Sequence, residues 1–181
     1  MRALANLIFT TDFFYSILRV TTPLLFASMG AVLSDVAGVP NIALEGMMLI
    51  AAFAGMFFSY LFDSAAMGLL FALLFAVLSA GVLAFFTLYY KTNIILGGIA
   101  INSLASGGTI FFLYLAAHDK GTSVSLPSKV LPSVNIPLMH DIPESGPAIS
   151  AHNVLTLLAI VAVIFTFYVL KTTSLGWHLR A

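Results

Sequence analysis

Five apolar stretches, each near the length needed to cross a bilayer, leave this chain few ways to fold: Phe13 to Leu33, Ala43 to Phe62, Met67 to Tyr89, Ile94 to Ala117 and Val154 to Leu170. A helix needs about 20 mostly apolar residues to span ~30 Å of hydrocarbon. None of the stretches alternates apolar and polar residues as a barrel strand would. Composition agrees, with 61% hydrophobic and only 8% charged residues and a mean hydropathy of +1.08; a soluble domain carries about a quarter charged residues. The expected fold class is an all-α polytopic membrane protein of about five transmembrane helices, forming one transmembrane domain over residues 1–181. Whether one helix is broken or re-entrant near residues 34–46 is left open, because Arg19 and Pro23 interrupt the first stretch and Gly38 and Pro40 follow it.

The breaks between stretches have clear chemistry. Ser34 to Asn41 holds Gly38 and Pro40, Asp63 and Ser64 mark a tight turn, and Lys91 to Asn93 mark another. The long connection from His118 to His152 contains five of the seven prolines and both signs of charge, so it belongs outside the bilayer. Val36 to Met48 differs from the other breaks, being a partly polar run with helix breakers between two membrane-length segments. Irregular backbone at membrane depth survives only where protein buries it or a watery cavity wets it, so this run points at a solute route.

Several function classes are excluded or disfavoured. Seven basic and seven acidic side chains cancel, which removes the usual electrostatic basis for binding nucleic acid. Cysteine is absent, so disulfides, thiolate metal sites and cysteine catalysis are not available. His118, His140 and His152 lack the short fixed spacing of a metal-ligand pair, and a solvated loop explains them. No nucleophile elbow, nucleotide phosphate loop or dinucleotide fingerprint occurs, so the chain is not expected to be an enzyme or to hold a cofactor. The N-terminal segment runs past the usual apolar length of a signal peptide and is read as retained.

Within the spans, Ala72, Ala76, Ala80 and Ala84 recur every four residues, the spacing that lets helix backbones approach closely in lipid. Gly98, Asn102, Ser106 and Thr109 share one helix face. An amide in hydrocarbon needs a partner, so Asn102 either bonds a neighbouring helix or lines a solvated path. Glu45 is the only glutamate in an expected span; Asn41 and Glu45 could serve as N-cap and first-turn acid of a helix, or line and gate the route. Arg19, midway along the first span, is expected to face protein and to pair with Glu45 or Asp35. The candidate path residues are Asn41, Glu45, Asn102 and Ser106.

The runs Thr22-Pro23-Leu24-Leu25, Met29-Gly30 and Ser34 to Met48, with the core Asn41-Ile42-Ala43-Leu44-Glu45-Gly46, resemble the signature of ABC importer permeases for nucleosides and simple sugars, and more narrowly those that work with basic-membrane-protein-type binding lipoproteins. Thr92 to Asn102 and Thr173 to Ala181 resemble two further segments of that family, the second being its cytoplasmic approach to the ATPase. The chain departs from the family pattern at Asp35-Val36, Pro40 and Ala43. The resemblance implies a multi-pass protein of the bacterial cytoplasmic membrane that forms a solute path by alternating access. It also implies a second permease subunit, ABC ATPase subunits that hydrolyse the ATP, and an extracytoplasmic substrate-binding lipoprotein as partners, with the bilayer around them. On that reading residues 118–152 are extracytoplasmic, the N-terminus lies outside, and 171–181 begin the cytoplasmic coupling region, with Leu175, Gly176 and Arg180 approaching the ATPase. The family continues beyond the segment matched by the end of this chain, so the sequence resembles the N-terminal half of a permease. The alternatives are a self-sufficient secondary transporter or channel, which a lone Glu45 supports poorly, and an inactive truncated membrane fragment.

Overall fold

The computed structural model describes residues 11–118, 126–135 and 151–180. Within them run six helices: α1 (Thr11–Val36), α2 (Leu44–Leu61), α3 (Ala65–Leu88), α4 (Ile94–Ala117), α5 (Val154–Thr172) and the short α6 (Ser174–Arg180). Five are long and apolar enough to cross a membrane. They fall on the five stretches expected from the sequence. The helical class is joined by one small addition, an antiparallel pair of three-residue strands, β1 (Ser133–Asn135) and β2 (Ala151–Asn153), in the register Ser133 to Asn153.

The chain divides into two compact units, residues 1–36 with 131–181 and residues 37–130. In the first, α1 is an unbroken helix of 26 residues that passes through Arg19 and Pro23, so the interruption those residues suggested does not form. Next to Pro23, Thr22 bonds its own helix at the Leu18 carbonyl (2.8 Å) and also reaches the Thr156 hydroxyl on α5 (3.1 Å). Both threonines are buried, and such interhelical hydroxyl bonds supply the directional contact that lipid cannot. Arg19 is exposed, and 16 residues of continuous helix separate it from Asp35. At ~1.5 Å rise per residue that is ~24 Å, so the expected Arg19–Asp35 pair cannot close.

β2 leads directly into α5, where Asn153 caps the helix by accepting from the Leu155 amide (3.2 Å). At the other end α6 turns back on α5, and Gly176 is why it can: a β-carbon there would collide with the Leu170 carbonyl and sit 2.6 Å from that of Val169.

In the second unit α2, α3 and α4 follow one another through short turns. Asp63 and Lys91 adopt left-handed backbone in these turns (φ 50° and 53°), the cap conformation that ends a helix and reverses the chain. α4 starts at Asn93, whose side chain accepts from the Ile95 amide (2.9 Å). The unit's core lies where the start of α2, the end of α3 and the start of α4 meet: Ala43, Met47 and Leu83, with Ile94 and Ile101 against them. Elsewhere large apolar side chains face outward, Val77 at 69% and Leu104 at 72% exposure among them. Side chains of that size on a helix surface are ordinary when lipid is the solvent.

Candidate functional site

The irregular run before α2 folds into a short, tightly bonded turn. The sequence allows Asn41 to cap α2 or to line the route; in the structure the N-cap position falls at Ala43, and Asn41 acts two residues earlier. Its Oδ1 accepts from the Ala43 amide (3.0 Å), an Asx turn that bends the chain into the helix. Its Nδ2 reaches the Met47 sulfur at 3.8 Å. Ala43 is fully buried at 0% exposure and accepts the first helical bond, from the Met47 amide (2.9 Å).

Asn102 approaches the same turn from α4. Its Nδ2 donates to the Ile42 carbonyl (2.9 Å), and its Oδ1 accepts from the Gly46 amide (2.8 Å). The first amides of a helix have no partner within it, and Gly46 is one of these. A single carboxamide therefore satisfies a donor and an acceptor that the entry to α2 would otherwise leave open. Asn102 thus bonds the entry to a neighbouring helix, one of the two roles the sequence allowed it.

Two glycines make the approach possible. A β-carbon on Gly46 would lie 2.8 Å from the Asn102 α-carbon, and one on Gly98 would lie 3.1 Å from the Ala43 nitrogen. Backbone meets backbone at both points: a side chain at Gly46 would force α2 and α4 to shift, whereas one at Gly98 asks its neighbours to give by only a few tenths of an ångström. Gly98 and Asn102 are one turn apart on the face the sequence singled out.

The four candidate path residues are brought together only in part. Asn41 and Asn102 hold opposite sides of the 42–46 turn. Glu45 stands on the same turn, in the first turn of α2 and exposed, where a carboxylate also benefits from the helix dipole. Ser106 lies one turn further along α4, exposed, with its hydroxyl donating to its own helix at the Ser103 carbonyl (3.1 Å).

Beyond the junction Phe53 of α2 still meets Phe112 of α4, with ring centroids 6.4 Å apart. Phenylalanines replace glycines on the α2 side, and a cleft of about 680 Å³ opens between Ile50, Phe53 and Phe57 of α2 and Ser103, Gly107 and Phe112 of α4. Ser103 and Thr109, rather than Ser106, border it. Thr109 spends its proton on the Ala105 carbonyl (2.7 Å), so the cleft is nearly all apolar. Among the described residues no three His, Cys, Asp or Glu side chains converge as a metal site would require.

At the far end of α2 a strap crosses the α2–α3 turn. The buried Ser59 hydroxyl accepts from the Lys129 amide (3.1 Å) and faces the Lys129 carbonyl (3.4 Å), while the Lys129 ammonium pairs with Asp63 at 2.7 Å. Sequence reasoning missed this strap, since nothing in a local pattern joins residues 66 to 70 positions apart. It also missed the cleft, although Phe53 and Phe57 stand at helical spacing. Of the proposed coupling residues, Gly176 is packed as described above. Leu175 and Arg180 lie on α6, and their side chains fall outside what the structure describes.

With this geometry in place, the chain can be compared with known proteins. Residues 13–181 match the family described as branched-chain amino acid transport system / permease component. The chain is 30% identical over 168 residues to the nucleoside ABC transporter permease protein NupC of Lactococcus lactis subsp. cremoris (strain MG1363), covering 89% of this chain and 52% of that protein. It is 31% identical over 166 residues to the guanosine ABC transporter permease protein NupQ of Bacillus subtilis (strain 168), covering 88% and 51%. It is 29% identical over 163 residues to the putative glucose ABC transporter permease protein TsgC13 of Haloferax volcanii, covering 90% and 49%. The chain thus spans about half the length of the curated relatives it matches. No solved structure matches it.

Proposed function

The chain belongs to the family of branched-chain amino acid transport system permease components, and on that premise we propose that it forms part of the transmembrane permease of an ATP-driven importer in the cytoplasmic membrane, taking up nucleosides or simple sugars. The observation that carries the reading is the family match along residues 13–181, laid over five helices of membrane length. The relatives named for nucleoside, guanosine and glucose transport supply the two solute classes. Both are uncharged and rich in hydrogen-bonding groups, which suits a route with few charges.

The chain does no covalent chemistry in this scheme. ATP is hydrolysed by separate ABC ATPase subunits, a second permease subunit completes the route, and an extracytoplasmic lipoprotein delivers solute. Asn41, Glu45, Asn102 and Ser106 contribute to the route or to its walls. Residues 118–152 lie on the extracytoplasmic side, and α6, with Leu175, Gly176 and Arg180, leads toward the ATPase. The strap supports this topology, because it ties Lys129 to the α2–α3 turn, and on this reading both lie on the extracytoplasmic side. ATP binding would shift the helices between outward and inward states only through its differential affinity for them.

Co-purification is the test. The chain, carrying an affinity tag in its native membrane, should bring down an ABC ATPase and a second permease subunit. Recovery of the tagged chain alone from mild detergent, with solute uptake unchanged on deletion of the neighbouring ATPase gene, refutes the importer reading.

A further inference from the structure

We infer that Asn102 is a positioning residue: it holds the first turn of α2 in one register against α4, and through that turn sets the direction in which the Glu45 carboxylate stands. The reach of this inference into transport rests on the importer reading above; the junction itself does not.

A planar carboxamide offers a donor and an acceptor on the same carbon, and both are used here, on Ile42 and on Gly46. These two backbone groups flank Glu45, so the bonds bracket the peptide that carries the carboxylate. Asn41 holds the Ala43 amide from within the same turn. The backbone contacts at Gly46 and Gly98 set α2 close against α4 at this turn. Glu45 itself is exposed. Its placement is therefore dictated by the turn beneath it, and that turn is dictated from α4. A residue argued to shape a route need not touch solute, and Asn102, with both amide atoms occupied, acts in that indirect way.

The absence of cysteine makes a direct test available. A β-carbon on Gly98 would lie 3.2 Å from that of Ile42, and one on Gly55 would lie 3.2 Å from that of Ala72; disulfides take up roughly 3.5–4.5 Å, a small adjustment. The pair Ile42→Cys with Gly98→Cys probes the junction, and Gly55→Cys with Ala72→Cys serves as a reference on α2 and α3. Both are expected to crosslink under mild oxidation of native membranes, read as loss of labelling by a maleimide mass tag. Adding Asn102→Leu should slow the first pair at least about fivefold and leave the second unchanged, because the two contacts are independent. Failure of the first pair where the second forms, or equal rates with and without Asn102→Leu, overturns the junction.

Solute uptake by the assembled importer, normalised to the amount of chain in the membrane, then tests the positioning role. Asn102→Leu and Glu45→Gln should each lower uptake by about tenfold, and the double variant should fall no more than about twofold below the weaker single one, since groups acting through one another are not additive. Losses that multiply to about a hundredfold overturn the role by showing that Asn102 acts independently of Glu45. Unchanged uptake in both single variants, with the crosslinks intact, also overturns it and removes Glu45 from the route.

Discussion

The two ends of α2 are held to their neighbours by different means. At its start the contact is polar and close: a carboxamide from α4 bonds the backbone on either side of Glu45, and glycines remove the side chains that would keep the helices apart. Toward its end the contact is with α3, and it is mixed. Gly68 and Ser59 still interlock closely, but rings then take over, with Phe58 stacked on Phe71 at 3.9 Å between centroids and Phe62 on Phe71 at 5.7 Å. Stacked rings tolerate sliding, since dispersion falls off gradually with displacement. A bidentate amide does not, because each bond weakens steeply once bent or stretched. Both ends of α2 thus keep a close glycine contact, since a β-carbon on Gly68 would lie 2.6 Å from the Gly55 carbonyl; the start adds a directional amide to it, and the far end adds stacked rings. The side facing α4 makes the point within a single pair of helices: glycine and amide bring them into contact, and phenylalanine opens a cleft.

The sharpest way to break that comparison is to add one methyl group at a glycine of each kind. Gly46→Ala drives a β-carbon to 2.8 Å from backbone, and overpacking against atoms that cannot rotate away costs about 2–3 kcal/mol. Gly81→Ala places its methyl where nothing lies within 4 Å, and replacing a helical glycine by alanine stabilises by about 1 kcal/mol. Thermal unfolding in a fixed detergent should therefore shift in opposite directions for the two variants. Equal shifts would mean that α2 and α4 are not in backbone contact at Gly46.

The next effect tests the amide alone. Asn102→Leu keeps volume but strands the Gly46 amide and the Ile42 carbonyl, a loss of about 1–2 kcal/mol given the modest worth of hydrogen bonds between membrane helices. Asn102→Asp retains the acceptor for Gly46 but, when ionised, sets a second oxygen against the Ile42 carbonyl and brings a charge into the bundle, so at neutral pH it should be no more stable than the leucine variant. The order in unfolding temperature is the observable, and an aspartate variant as stable as the natural protein at neutral pH would contradict the donor bond to Ile42.

Much of this arrangement was legible in the sequence, and the reason is physical. Hydrocarbon imposes a length and a composition on anything that crosses it, so the five spans could be read to within a few residues. The polar face of α4 could be read as well, since Gly98 and Asn102 follow helical spacing. What Asn102 bonds could not be read, because its partners are backbone groups some 56 to 60 positions away, and backbone carries no sequence signal. What Asn41 bonds could not be read for a related reason. A good capping residue was present, but its side chain closed a turn on Ala43 and left the cap position to a residue with no side-chain bond to give. Arg19 and Pro23 suggested a broken first helix; α1 runs on because Thr22 and its neighbours keep bonding within it.

At the far end of α2 a smaller effect is expected. Ser59 is 3% exposed and its hydroxyl meets both backbone groups of Lys129. Ser59→Ala removes the contact from both, at about 1 kcal/mol, the usual net worth of one satisfied hydroxyl. Limited proteolysis between residues 126 and 130 should quicken in that variant, because the strap loses its buried anchor. An unchanged cleavage rate would show that the strap is held elsewhere.

The smallest effect should come from the ion pair that looks most prominent. Lys129 and Asp63 lie 2.7 Å apart, but their side chains are 56% and 80% exposed. Water competes for both, salt screens them, and holding a lysine in one rotamer costs entropy, so pairs of this kind contribute ~0.5 kcal/mol or less. Lys129→Met keeps the aliphatic stem and the backbone bonds to Ser59 while deleting the charge. It should shift unfolding only in low salt, by less than Ser59→Ala, and leave proteolysis of residues 126–130 nearly as slow as before. A larger effect from Lys129→Met than from Ser59→Ala would reverse the order argued here. It would mean that charge rather than the buried hydroxyl fixes the strap.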